Sequence, residues 1–238
     1  EAYRVAQSKL FVMALRVRKQ FLYENRKNVK AAIIVWDQQE KYLDRKHVIE
    51  AAWNWINMTI PVISSTFASF SRMCKNLGAE TLGHLFIDEA GQALPQAAVG
   101  AIYRSRHVMV VGDPLQIKPV LTLDSNTLYM LGEHFGVTEK YLSASASAQI
   151  LADAASQYGF YRKQDKAEDS WVGIPLWVHR RCRYPMFTIS NMISYDGFMV
   201  QGMEKYGKAD WFDVGGMANN KYVEEQGEFL LHKLKEMI

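Results

Sequence analysis

The chain has 238 residues, enough for one large domain or two small ones, each able to bury a core. Its 49% hydrophobic and 22% charged residues are ordinary for a globular fold, and no apolar run reaches the roughly 18 residues of a membrane-spanning helix. The net charge of +3 is too small to signal nucleic acid by itself, but residues 1–58 carry eleven Lys and Arg against six Asp and Glu, a net of +5 that leaves −2 for the remainder.

Residues 2–57 read as helix throughout, because glycine and proline are absent until Pro61 and only polar junctions near residues 25–28 and 44–46 interrupt the pattern. Leu10, Met13, Val17 and Phe21 recur at spacings of three and four, one apolar stripe beside Arg16, Arg18 and Lys19. Two or three packed helices, as in an antiparallel hairpin, are expected; a nucleic-acid track or a protein partner for this arm is the functional alternative. The sequence opens on Glu1-Ala2-Tyr3-Arg4, with neither an initiator Met nor a signal pattern, which points to a fragment of a longer protein. Cys74 and Cys182 have no Cys or His at metal-ligand spacing and read as two thiols of an intracellular, cytoplasmic chain.

At Pro61 the texture changes. Residues 61–66, 85–87 and 108–111 are short apolar or β-branched runs, and their continuity predicts strands covered on both faces, hence a parallel sheet. Helical stretches at 67–77 and 95–103 lie between them, the second opening on Pro95. Strand, helix, strand, helix, strand is the order of a doubly wound α/β domain. Residues 143–158 read as a further helix and the charged segment 162–170 as a loop or linker. A second α/β domain is expected to start near residue 172, with a strand at 174–178 and a helix at 186–192; Trp177 reads as a core residue, with stacking of Trp177 and His179 on a base or nucleotide as the functional alternative.

The chemistry concentrates at two strand ends. In Leu85-Phe86-Ile87-Asp88-Glu89 two carboxylates follow an apolar strand directly, at the end where open α/β sheets place their ligands. Asp88 is placed to hold a hydrated Mg²⁺ and Glu89 to activate a water for attack on a γ-phosphate; the plain alternative is a pair of acids capping the next helix. About one strand–helix unit later, Val110-Val111-Gly112-Asp113-Pro114-Leu115-Gln116 repeats the arrangement: Gly112 permits a tight exit, and Gln116 can hydrogen-bond a phosphate oxygen or the attacking water. Ser65 and Thr66 either donate to a nucleic-acid phosphate or cap the helix that begins at Phe67.

Asp-Glu-Ala-Gly-Gln followed by Gly-Asp-Pro-Leu-Gln-Ile-Lys-Pro-Val resembles motifs II and III of the superfamily 1 helicases, in the Upf-like and Dna-two-like branch. Val62-Ile63-Ser64-Ser65-Thr66-Phe67-Ala68 is similar to that branch's motif Ic, and residues 176–185 with Tyr195-Asp196-Gly197 to the opening of its second RecA-like domain. The resemblance covers roughly residues 60–215. It implies a partial RecA-like P-loop NTPase: a helical arm (1–58), the latter half of a first RecA-like domain (59–160), a linker (161–172) and the start of a second domain (173–238). It further implies ATP and Mg²⁺ as cofactors, Asp88 as metal ligand, Glu89 as catalytic base, Gly112 and Asp113 at the nucleotide, and Gln116 as γ-phosphate sensor. Ser65 and Thr66 would lie on single-stranded DNA or RNA. Arg181 best matches the arginine that reaches the γ-phosphate from the second domain, although Arg180 and Arg183 crowd beside it. No Gly-x-x-x-x-Gly-Lys-Ser/Thr loop is present; Gly78–Leu85 has the glycine spacing but no lysine, and it precedes a strand instead of opening a helix. The resemblance puts that loop before residue 1 and the last motifs after residue 238, so the chain is expected to be a central fragment with little activity alone. A non-catalytic scaffold and an unrelated Mg-dependent phosphohydrolase are the rival expectations.

Overall fold

The computed structural model describes residues 1–113, 115, 117–121, 123–138, 141–142, 146–163, 170–203 and 206–237. The chain divides into two compact units, Glu1–Ile174 and Pro175–Ile238.

The first unit begins with α1 (Ala2–Glu24), α2 (Arg26–Asp37) and α3 (Lys46–Thr59), parted by Asn25 and by a 3₁₀ turn at Gln39–Tyr42. α2 packs on α3, with Trp36 edge-on to Trp53 at 6.2 Å. α1 is fastened near its C-terminal end. There Phe21 stacks on Trp55 at 5.9 Å, and Arg18 Nε donates to the Met58 carbonyl at 2.7 Å, in the last turn of α3, whose carbonyls lack helical partners. The rest of its stripe is open: no α1 residue is buried, and Leu10 is 72% exposed. The expected helical hairpin therefore holds for α2 and α3 but not along α1. Periodicity identifies an apolar face without supplying a surface to cover it.

Residues 61–66, expected to be a strand, form none, and Val62 is 82% exposed. A β-branched run becomes a strand only where a ladder partner accepts its backbone, and among the described residues nothing pairs with it. α4 (Phe67–Met73) follows, stopping at Cys74 instead of continuing to Leu77. Then β1 (Leu82–Ile87), α5 (Pro95–Tyr103) and β2 (Ser105–Val110) make one crossover, with β1 and β2 parallel and Ile87 opposite Val110. Two apolar clusters hold this region. Ile49 and Trp53 of α3 bury Cys74 and Leu77, while Ile87, Ala90 and Ala98 pack with Ala148. The period-two alternation of a strand sends Leu85 and Ile87 to the second cluster and Phe86 and Met109 outward, where Phe86 is 68% exposed. The expected cover on both faces is thus absent from the described residues. Three-residue apolar runs do not distinguish a two-sided strand from a one-sided strand with an aromatic on its open face.

α6 (Ser125–Phe135) starts where the Asp124 carboxylate accepts from the Thr127 N–H (3.0 Å) and hydroxyl (2.6 Å), contacts that hold its pKa below the usual carboxylate value. Of the expected 143–158 helix, residues 143–145 lie outside the described residues, and α7 (Ala148–Ala155) starts after its N-cap Ser147, whose Oγ accepts from the Ile150 N–H, and ends before Ser156. β3 (Phe160–Arg162) and β4 (Ser170–Val172) pair antiparallel, so strand flanks the charged segment that reads as a linker. The buried Asp153 of α7 ties that pair down by accepting the Gly173 N–H at 3.1 Å.

In the second unit the expected 174–178 strand does not form over 174–177; β5 (Val178–His179) shares only Val178 with it, and Trp177, 42% exposed with its ring edge-on to Phe198, is not a core residue. α8 (Met186–Tyr195) leads to β6 (Val200–Gln201), which pairs parallel with β5. β7 (Ala218–Asn219), β8 (Tyr222–Val223) and α9 (Glu224–Glu236) complete the chain. No helix of the described residues is long and apolar enough to cross a membrane.

Neither cysteine is in a disulfide. Burial pushes the Cys74 thiol up to about 11, against a smaller opposing pull from Arg104, whereas Cys182 is half-buried. The folded thiol ionises above the unfolded one. Stability tied to Cys74 is therefore whole below the ordinary thiol value and lost as pH climbs through about 11. Near pH 8 a thiol reagent should modify Cys182 and reach Cys74 only on unfolding, because the thiolate is the reactive form. Mass spectrometry of the labelled native protein checks this, and equal labelling of both would contradict it.

Candidate functional site

β1 stops at Ile87 and presents Asp88 and Glu89 at its carboxyl end; β2 stops beside it and presents Gly112 and Asp113. The ladder continues into both loops, for Val111 N–H donates to the Ile87 carbonyl at 2.8 Å and Ala90 N–H donates to the Val111 carbonyl at 3.1 Å. Gly112 completes the join. A Cβ added there would lie 2.6 Å from both Ala90 N and Gly91 N, closer than a methyl group can approach a backbone nitrogen. Asp88, Glu89, Gly112 and Asp113 thus stand together through backbone contacts that no charge attraction is needed to explain.

Glu89 is left-handed (φ 53, ψ 38), a conformation that costs a side chain with a Cβ about 1–2 kcal/mol and that turns the chain sharply at the strand's exit. Its N–H donates to Asp88 Oδ1 at 3.0 Å, which leaves Oδ2 for another ligand. Gln92 Nε2 donates to Glu89 Oε2 at 3.2 Å and steadies the carboxylate. Sequence alone assigns Gln92 no role of its own; its signal there is a Gln three residues after an acid at a strand end. Asp113 Oδ1 accepts from the Leu115 N–H at 2.9 Å, closing a short turn after β2. Gln116 lies outside the described residues.

The turn at Ala90–Gln92 rests on α7, whose first residue, Ala148, donates its N–H to the Ala93 carbonyl at 2.8 Å. Phe67, the first residue of α4, packs on the same cluster as Ile87 and Ala90. Thr66 just before it is the helix N-cap, its Oγ1 accepting from the Ser69 N–H at 3.3 Å, and the Ser65 hydroxyl donates to the Thr66 carbonyl at 2.9 Å. Both side chains are exposed, and the Thr66 hydroxyl proton is still available to donate. Arg181 belongs to the second unit, where it is exposed and makes no hydrogen bond or ion pair among the described residues. Arg180 is likewise exposed, whereas Arg183 has an interaction of its own.

The pattern of the AAA domain family matches residues 5–123, half of the chain and all of the joined strand ends. The chain belongs to the AAA domain family. No curated protein and no solved structure matches it. An AAA domain of this kind is a helicase-like P-loop domain, and such domains generally use ATP with Mg²⁺. The donor set of this AAA domain fits the ion. Mg²⁺ keeps most of its waters and takes one or two carboxylates beside the substrate's phosphates, so Asp88 with one uncommitted oxygen suffices. Among the described residues no group of three or more His, Cys, Asp or Glu is arranged to hold a metal ion.

Proposed function

We propose that the chain is the central part of an ATP-dependent superfamily 1 helicase motor, coupling Mg-ATP hydrolysis to movement along single-stranded DNA or RNA. The observation that carries this reading is the backbone join between the Asp88-Glu89 turn and the Gly112-Asp113 turn on adjacent parallel strands. A motor must register the state of one phosphate at two loops together, and loops that share a hydrogen bond and a methyl-free contact move together.

Asp88 would hold Mg²⁺, which when bound neutralises charge on the β- and γ-phosphate oxygens. Glu89, steadied by Gln92, accepts the proton of the attacking water. Gly112 and Asp113 line the nucleotide side of the second loop, with Gln116 beyond them as γ-phosphate sensor. Arg181 supplies a mobile positive charge to the transferring phosphoryl group. Ser65 and Thr66 donate to the nucleic-acid backbone. In this reading residues 1–58 are an arm offering a surface to a protein partner, 59–160 and 173–238 belong to two RecA-like domains, and 161–172 joins them. The 238 residues contain no Gly-x-x-x-x-Gly-Lys-Ser/Thr loop.

The test is ATP hydrolysis by the protein of the complete reading frame, with and without single-stranded DNA and RNA, beside its Arg181→Ala variant. Turnover that nucleic acid stimulates, and that falls about 1,000-fold or more in the variant, is the expected result. Nucleic-acid binding with no turnover in the unaltered protein would replace the motor with a scaffold.

A further inference from the structure

In the second unit one side-chain hydrogen bond closes the turn that carries Arg181. β5 ends at His179, and the chain then turns through Arg180 and Arg181 to Cys182. His179 Nε2 accepts the Cys182 N–H at 2.9 Å, closing a four-residue turn with the two arginines at its apex. We infer that His179 is a positioning residue that sets the direction in which Arg181 is presented; the inference rests on the reading of Arg181 as the cation at the γ-phosphate.

The rest of the frame agrees. The His179 main chain is held by β6, since Gly202 N–H donates to the His179 carbonyl at 2.8 Å and Val200 N–H to the Trp177 carbonyl at 2.8 Å. β6 in turn is anchored on α8: the buried Asn191 side chain donates to the Met199 carbonyl and accepts the Met199 N–H, both at 3.0 Å. The imidazole lies 5.3 Å from the buried Phe187 ring of the same helix. Gly202 leaves room for the Arg180 stem, because a Cβ there would sit 3.0 Å from Arg180 Cγ. Everything up to Nε2 is therefore fixed by sheet, helix and ring packing, and the final link to the arginine-bearing turn is one hydrogen bond. A backbone N–H can donate only to a nitrogen lone pair, so the ring serves this role with Nε2 unprotonated and its proton on Nδ1.

Two substitutions separate the acceptor from the ring. His179→Phe keeps a ring against Phe187 and removes the acceptor; His179→Gln keeps an acceptor within reach of the Cys182 N–H and removes the ring. Both are made in the protein of the complete reading frame, with hydrogen exchange at the Cys182 amide and ATPase kinetics as readouts, and exchange in α8 as the check that the unit is folded. The Phe variant should exchange the Cys182 amide about fivefold faster and lose about 100-fold in kcat, with little change in KM for ATP. The Gln variant should restore both. A Phe variant with fast exchange but unchanged kcat overturns the inference, as does equal damage in both variants, which would make the ring the important part. If the unaltered protein turns over no ATP, the motor reading fails and this role for Arg181 fails with it. Retained protection of the Cys182 amide would then mark the hydrogen bond as real and purely structural.

Discussion

Glu89→Gln is expected to lower ATP turnover about 100- to 10,000-fold while leaving Mg-ATP affinity nearly unchanged. The amide is isosteric with the carboxylate, so the substitution alters the ability to accept a proton and little else. The left-handed backbone is already in place at Glu89, and Gln92 can donate to an amide oxygen as it does to the carboxylate oxygen. The adjacent Asp88 keeps its free oxygen for the metal. Loss should therefore appear in kcat, because the proton is transferred only in the transition state. Single-turnover hydrolysis beside equilibrium nucleotide binding checks it. Unchanged hydrolysis would remove Glu89 as the base, and an equal loss of binding would make it a structural acid.

The second large effect concerns a residue with no side chain. Gly112→Ala places a methyl carbon 2.6 Å from the Ala90 and Gly91 nitrogens, which are backbone atoms on the far side of a hydrogen-bonded join. No rotamer change relieves that contact. The two loops must separate, breaking the Ala90-to-Val111 hydrogen bond or bending β2 at its exit. Such overpacking costs about 1–3 kcal/mol, which in a chain of this size lowers Tm by about 2–12 °C. Gly83→Ala is the control, since a Cβ there meets nothing within 4 Å, and its effect should stay within about 0.5 kcal/mol. Thermal unfolding followed by circular dichroism tests the pair. A Gly112 variant as stable as the control would mean that the loops are not held as described. A destabilised variant should also hydrolyse ATP more slowly, because Glu89 is carried on the loop that has to move.

Several features were legible in the chain itself because they are set locally. The absence of glycine and proline before Pro61 fixed a helical arm, Asn25 broke it, and Pro95 opened a helix that runs to Tyr103. Apolar runs ending in Asp88-Glu89 and Gly112-Asp113 identified two strand ends, and the order of the short motifs named a helicase-like class before any contact was known. These are statements about i to i+4 neighbours and strand periodicity, which the sequence encodes directly.

What lay between distant residues was decided by tertiary structure. Residues 61–66 have strand composition but no ladder partner, and α1 has a stripe but no cover, since neither composition nor period specifies what a face will meet. Neither the left-handed turn at Glu89 nor the contact of Gln92 with its carboxylate is announced by the residue types themselves. Gly112 was visible as a tight exit; that it is required by the Ala90 and Gly91 nitrogens became clear only once two strands separated by a helix were set side by side. His179 has its ring nitrogen on the Cys182 N–H, a hydrogen bond that residue type and spacing do not announce. Sequence determines which groups are available and how each segment is inclined to fold, because those preferences are local. Which groups touch depends on the packing of segments far apart in the chain, where a single methyl group or one hydrogen bond selects the arrangement.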